Sequence, residues 1–201
     1  MAGKTAFSNF QFDDSGGFLW NRNHYAFDQV VHLKLSWIRT TERVLSAKAG
    51  DYDQAYVHIT LKEGKKIRFG ITEKPSFLGL SIAGIKRQRK SEIDDLQKIY
   101  SYLLDQTFTH RLQPFLTAIE NEGYFKWDRC QFHPKERTIR SGKRTFPVDE
   151  CEFFREYKLI QVKRKKPSLP WDTAVFRVDT DQDVIFYLLD RFFQLRWPNK
   201  G

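Results

Sequence analysis

Val31-His32-Leu33-Lys34-Leu35-Ser36-Trp37 alternates without a break, with apolar side chains at the odd positions and polar ones at the even. Successive side chains of a strand point to opposite faces, so this stretch predicts a strand with one face buried. Val57, Ile59 and Leu61 repeat the pattern with Tyr56, His58 and Thr60 facing out, and Ile67, Phe69 and Ile71 repeat it again. Between them, Lys62-Glu63-Gly64-Lys65 has the composition of a hairpin turn. Upstream, Asp13-Asp14-Ser15-Gly16-Gly17 is dense in residues that tolerate tight backbone conformations. Residues 7–72 therefore read as several short antiparallel strands, forming a bent sheet or small barrel.

Near residue 91 the period changes. Ile93, Leu96, Ile99, Tyr100, Leu103, Leu104, Phe108, Leu112, Phe115, Leu116 and Ile119 recur at steps of three and four, the apolar stripe of an amphipathic helix. Ser91 and Asp94 have capping-box spacing at its start, and Gly123 is a stop signal. Pro114 lies within the stripe and is expected to kink or divide the helix, because it lacks a backbone donor. A continuous helix over 91–122 would extend about 48 Å. That is too long for one small domain, so its second part is expected to lead into another unit. Beyond Gly123 the strand pattern returns at Phe125 to Phe132, in a hairpin of Arg137–Arg140 and Arg144–Val148 around Ser141-Gly142, and at Tyr157–Lys163 and Thr173–Val178. Residues 181–197 are expected to form a second helix with Ile185, Leu188, Leu189, Phe192 and Phe193 on one face, started by Thr180 and Asp183. The fold class is α+β in two units, 1–120 and 121–201. The expected cores are Leu33, Leu35, Trp37, Val57, Ile59 and Phe69 in the first, and Ile160, Val162, Phe176, Leu188 and Phe192 in the second.

Internal correspondences support two units. Phe10-Gln11-Phe12 is similar to Cys130-Gln131-Phe132, Phe27-Asp28-Gln29-Val30 to the segment 146–151, and Asp53 to His58 to Asp172 to Arg177, at offsets of 119 to 121. A near-constant offset is the mark of a repeated unit. Each unit is then a strand meander followed by one amphipathic helix. This order resembles the pleckstrin-homology-like domains, particularly the bacterial PH-like and GRAM-like type. The match is carried by Cys130-Gln131-Phe132, Gly142, Thr145-Phe146-Pro147-Val148 and the terminal helix with Leu188, Leu189 and Phe192. The resemblance implies a strongly bent sheet capped by a helix, and a binding module for phosphoinositides, peptides or other proteins.

The 201 residues carry a net charge of +9, with 40% hydrophobic and 15% aromatic content. That hydrophobic content excludes a disordered basic chain. Two cysteines exclude a disulfide scaffold; Cys130 and Cys151 read as buried, reduced thiols. No apolar run is long enough to span a membrane, and the opening MAGKTAFSNF lacks the apolar core of a secretory signal, so a cytoplasmic location is expected. Residues 1–120 hold 17 basic and 13 acidic residues, and 121–201 hold 17 and 12, so the positive charge is spread evenly.

Catalytic signatures are lacking. His24, His32, His58, His110 and His133 show no metal-ligand spacing, and the glycine-rich turns fit no nucleotide-binding motif. The expectation is therefore a non-enzymatic protein without cofactor or metal. Two segments stand out as binding candidates. Phe77, Leu78, Leu80 and Ile82 form an apolar loop that runs into Lys86, Arg87, Arg89 and Lys90. Lys163, Arg164, Lys165 and Lys166 lead into the proline-bracketed Trp171. The bland reading buries the apolar residues and leaves the cations as solvated charge. The functional reading is a scaffold that binds a protein partner, with an acidic one favoured by the cations. Anionic membrane lipid contacting the 76–90 loop is the alternative, and nucleic acid the second alternative.

Overall fold

The computed structural model describes residues 7, 9–13, 15–44, 47–72, 83–156, 158–166 and 172–195, with side chains at all of these except 39–44, 47–53, 72, 83–91 and 156. Among the described residues the fold is α+β: three three-stranded sheets and one four-stranded sheet, all antiparallel and none closed into a barrel, with two α-helices. The chain divides into units 1–110 and 111–201, ten residues earlier than the expected boundary.

In the first unit, β1 (Phe10–Asp13), β2 (Gly17–Trp20) and β3 (Asn23–Ala26) form one sheet. A 3₁₀ turn over Phe27–Gln29 leads into a second sheet of β4 (Val30–Val44), β5 (Ala47–Leu61) and β6 (Lys66–Thr72). Phe10, Phe18, Leu33, Val57, Ile59 and Phe69 are buried together with Leu96, Ile99 and Leu103 from the long helix α1 (Ala83–Glu122). The alternation from Leu33 onward thus selects the inner face, and the helix stripe covers it. Leu35 and Trp37 pack against this core while only partly buried.

In the second unit, β7 (Phe125–Trp127), β8 (Cys130–His133), β9 (Thr138–Ser141) and β10 (Arg144–Pro147) form the four-stranded sheet. A 3₁₀ turn over Val148–Glu150 then leads into β11 (Cys151–Glu156), β12 (Leu159–Arg164) and β13 (Thr173–Arg177), followed by α2 (Gln182–Phe193). Phe132 joins the layers: its ring lies 4.8 Å from Phe125, 5.1 Å from Phe176 and 6.2 Å from Phe193. Ile160, Val162, Phe176 and Leu188 are fully buried as expected. Phe192 is not; Phe193 takes the core place, and Phe192 lies half-buried beside the Arg191 guanidinium.

From β1 and from β8 onward the two units run through the same order: three strands, a 3₁₀ turn, three strands, a helix. Two of the three sequence correspondences fall on equivalent elements, β1 with β8 and the two 3₁₀ turns. The third does not, because residues 53–58 lie in β5 and residues 173–177 in β13, which is the counterpart of β6. The cause is the hairpin length. Val30 pairs with Leu61 and Cys151 with Arg164, so the offset falls from 121 to 103 across the shorter hairpin of the second unit.

Four further expectations are corrected. Helix α1 starts at Ala83, and Ser91 lies inside it. Lys, Arg and Gln are good helix formers, so the basic run at 86–90 extends the helix rather than a loop. Pro114 stands within α1 without ending it; the cost is the one backbone bond its missing N–H cannot make. Residues 125–132 are two strands, paired Trp127 to Cys130, with Asp128 in the left-handed region at φ 52°. Thr180 does not cap α2: the capping residue is Asp181, and the helix ends with Gln194 in the left-handed region, its N–H bonded to the Asp190 carbonyl.

Candidate ligand-binding groove

Strand β11 is the outer strand of its sheet, since the order is β11-β12-β13. The sequence reading passes over it, although Cys151 and Phe153 turn inward while Glu152 and Phe154 turn outward, the same period of two found elsewhere. The segment is only six residues long and ends in Arg155 and Glu156, which blurs the alternation. An outer strand leaves one row of backbone N–H and C=O groups without a strand partner.

Along β11 and the carboxyl-terminal end of α2 runs a cavity of about 690 Å³. Val148, Cys151, Phe153, Phe193 and Leu195 supply its apolar wall, and Phe154 stands at its edge, 38% exposed. Arg137, Asp149, Glu152 and Lys165 supply the charged groups. Arg137 is a built feature. Its Nη2 donates to Oδ1 of Asp149 at 2.8 Å and its Nε to Oδ2 at 3.2 Å, and Nη2 also donates to the Phe193 carbonyl at 3.4 Å. A cation there faces the negative end of α2. The hydrogen bond from Arg137 holds the Asp149 carboxyl below its ordinary value, so the pair stays ionised. Lys165 donates from Nζ to the Asp149 carbonyl at 2.8 Å. Burial pushes the Cys151 thiol up to about 11, which makes it a wall residue and a poor nucleophile at neutral pH.

The first unit holds a Ser–His–Asp cluster that sequence spacing does not reveal. Ser15 Oγ donates to Asp13 Oδ2 at 2.6 Å, and His24 Nε2 lies 3.0 Å from that same oxygen and 3.3 Å from Ser15 Oγ. A catalytic histidine uses one ring nitrogen toward serine and the other toward aspartate. Here a single nitrogen faces both, so the cluster fixes the β1–β2 turn and does not activate Ser15. The hydrogen bonds from Ser15 hold the Asp13 carboxyl below its ordinary value.

The expected binding residues are dispersed. Phe77, Leu78, Leu80, Ile82 and Trp171 lie outside the described residues. Lys86, Arg87, Arg89 and Lys90 have helical backbone on the first turns of α1, and their side chains lie outside the description. Residues 163–166 do not act as one free cationic cluster. Arg164 is half-buried, its Nε 3.2 Å from Asp172 Oδ2 in an ion pair, its Nη2 donating to the Thr145 carbonyl at 2.7 Å. Lys165 serves the groove, which leaves Lys163 and Lys166 exposed. Among the described residues no helix is long and apolar enough to cross a membrane. Comparison with models of protein families, with curated proteins and with solved structures finds no match to this chain.

Proposed function

We propose that the chain is a non-enzymatic cytoplasmic scaffold of two PH-like units, and that its second unit binds an extended peptide segment of a partner protein. One observation carries this reading: among the described residues β11 has a strand partner on one side only, and its residues line the cavity of about 690 Å³. A peptide laid along β11 gains main-chain hydrogen bonds, and its alternate side chains enter the cavity. The charged groups of the groove balance, Arg137 and Lys165 against Asp149 and Glu152, so selection rests on an apolar anchor rather than on net charge. An acidic partner is therefore not required at this site. The repeated order of strands, 3₁₀ turn, strands and helix is what favours the PH-like reading of each unit.

Selection from a displayed library of random heptapeptides tests the reading. Enriched peptides should share an apolar anchor and should shift the backbone amide resonances of residues 151–156 and 193–195. Phe154→Asp, at the exposed rim of the groove, should weaken their binding about tenfold, as expected when an aromatic contact is replaced by a charge beside an apolar anchor. Failure to enrich any peptide, or shifts confined to another surface, overturns it.

A further inference from the structure

Resting on the peptide-binding reading of the groove, we propose that its ligand carries two adjacent apolar residues followed by a basic one, and lies antiparallel to β11. Residues from both faces of β11 line the cavity: Cys151 and Phe153, which are buried, and Glu152 and Phe154, which are exposed. Side chains of a strand alternate between its faces. A cavity bordered by four consecutive residues therefore runs along the edge of the strand and not beneath one face. A peptide strand added at that edge has each residue opposite a β11 residue that points to the same face. Recognition thus falls on consecutive ligand residues, one face after the other.

On the inner face, the ligand residue opposite Phe153 meets the apolar wall of Cys151, Phe193 and Leu195. On the outer face, the residue opposite Phe154 extends a row that crosses the sheet, Phe154–Gln161–Val175. Phe154 is 38% exposed and ends this row at the β11 edge, where an aromatic or β-branched neighbour packs on it. The next outward position is Glu152. It stands opposite Lys163 on β12, yet among the described residues it forms no ion pair. The other charges of the groove are committed to one another. Arg137 donates to both carboxyl oxygens of Asp149, and Lys165 donates to the Asp149 carbonyl while its charge acts on the same carboxyl. Glu152 is left to select a basic residue across the new strand pair, where opposite charges attract. All the strand pairs described in this chain are antiparallel, and that ladder is the more stable one. In that direction the partner of Phe154 comes first, then that of Phe153, then that of Glu152. The order is apolar, apolar, basic.

Fluorescence anisotropy of the full chain with labelled heptapeptides tests this. The reference peptide has valine, phenylalanine and lysine at its third, fourth and fifth positions, with serine and glycine elsewhere. The other arms replace its lysine by glutamate, replace its valine by serine, or reverse the order of the three. Each change should lower affinity about three- to fivefold, the range of single cross-strand pairs. The preference for lysine over glutamate should shrink as salt rises. Glu152→Lys should invert that preference. Phe154→Ala should abolish the discrimination between valine and serine while keeping lysine over glutamate. An unchanged thermal midpoint certifies that the variants fold. The proposal is overturned by equal affinity for the lysine and glutamate peptides, by equal affinity for the two orders, or by a lysine preference that survives Glu152→Lys. Library-selected peptides that shift residues 151–156 without carrying this order overturn it and leave the groove reading standing. Absence of binding in every arm, together with a library that yields no peptide, overturns both.

Discussion

Arg111 is the most heavily committed charge in the second unit. Its side chain is fully buried, Nη1 donates to Asp181 Oδ1 at 2.9 Å and to Asp183 Oδ1 at 2.8 Å, and Nη2 donates to Asp183 Oδ2 at 2.6 Å. The hydrogen bonds and charges of the two carboxylates hold the guanidinium above its ordinary value against the opposing effect of burial. Removing one partner of a buried pair strands the other, so Arg111→Ala should cost about 3–5 kcal/mol, measured by urea denaturation. Asp183→Asn should cost less, because Asp183 is one-quarter exposed and Asp181 remains. A second residue sets a pH limit. His133 is buried with Nε2 unpartnered, stacked 5.1 Å from Tyr124, and burial holds its pKa below the ordinary 6.5. A histidine with a depressed folded pKa is neutral in the native state while the unfolded chain takes up the proton first. Its contribution is thus complete above pH 6.5 and is lost as the pH falls through the folded pKa. Denaturation midpoints should drop between about pH 7 and pH 5 in the native chain, and the drop should be smaller in His133→Gln.

At the scale of elements, what the sequence reveals and what it conceals have separate physical causes. Leu33, Val57, Ile59 and Phe69 are legible because a two-residue period has one solution when one face is buried. The Gly64 turn is legible because its φ of 78° is a conformation that glycine adopts freely. The start of helix α1 is hidden because helix propensity, not amphipathic periodicity, governs residues 83–90, and an internal Ser91 imitates a cap. The start of α2 is hidden for a different reason. Asp181 and Asp183 resemble ordinary acidic helix-start residues, but their carboxylates are directed to an arginine 70 and 72 positions earlier, a pairing that local spacing does not encode. The groove is concealed twice over. Its strand is short, and its cavity is formed by residues from four separated segments, at 137, 148–154, 165 and 193–195. In the first unit Tyr56, His58 and Thr60 read as outward, yet only the register reveals that Lys34 and Arg68 flank His58.

For the whole molecule, the boundary between units decides which piece of chain is self-sufficient. Helical periodicity ends at Gly123, which suggests dividing the chain after residue 120, whereas the folded chain divides before Arg111. The difference is one of energetics. The last turns of α1 supply Arg111 to the two aspartates, bury Leu112, and place Phe115 5.9 Å from Phe125 and 5.8 Å from Trp127. A fragment of residues 111–201 keeps all of these, while a fragment of 121–201 loses them and buries Asp181 without its counter-charge. The uncompensated charge alone is worth about 3–5 kcal/mol, a large part of the stability of a domain this small. The longer fragment should therefore unfold cooperatively, with its amides in β8, β12 and α2 protected from hydrogen exchange. The shorter one should show little protection and no cooperative transition under the same conditions. Equal protection in both would mean that the 111–120 segment is dispensable and that the buried aspartates are stabilised by other means. Restoring residues 111–120 with Arg111→Ala separates the two contributions, because that fragment retains Leu112 and Phe115. It should recover part of the lost stability but fall short of the native 111–201 fragment.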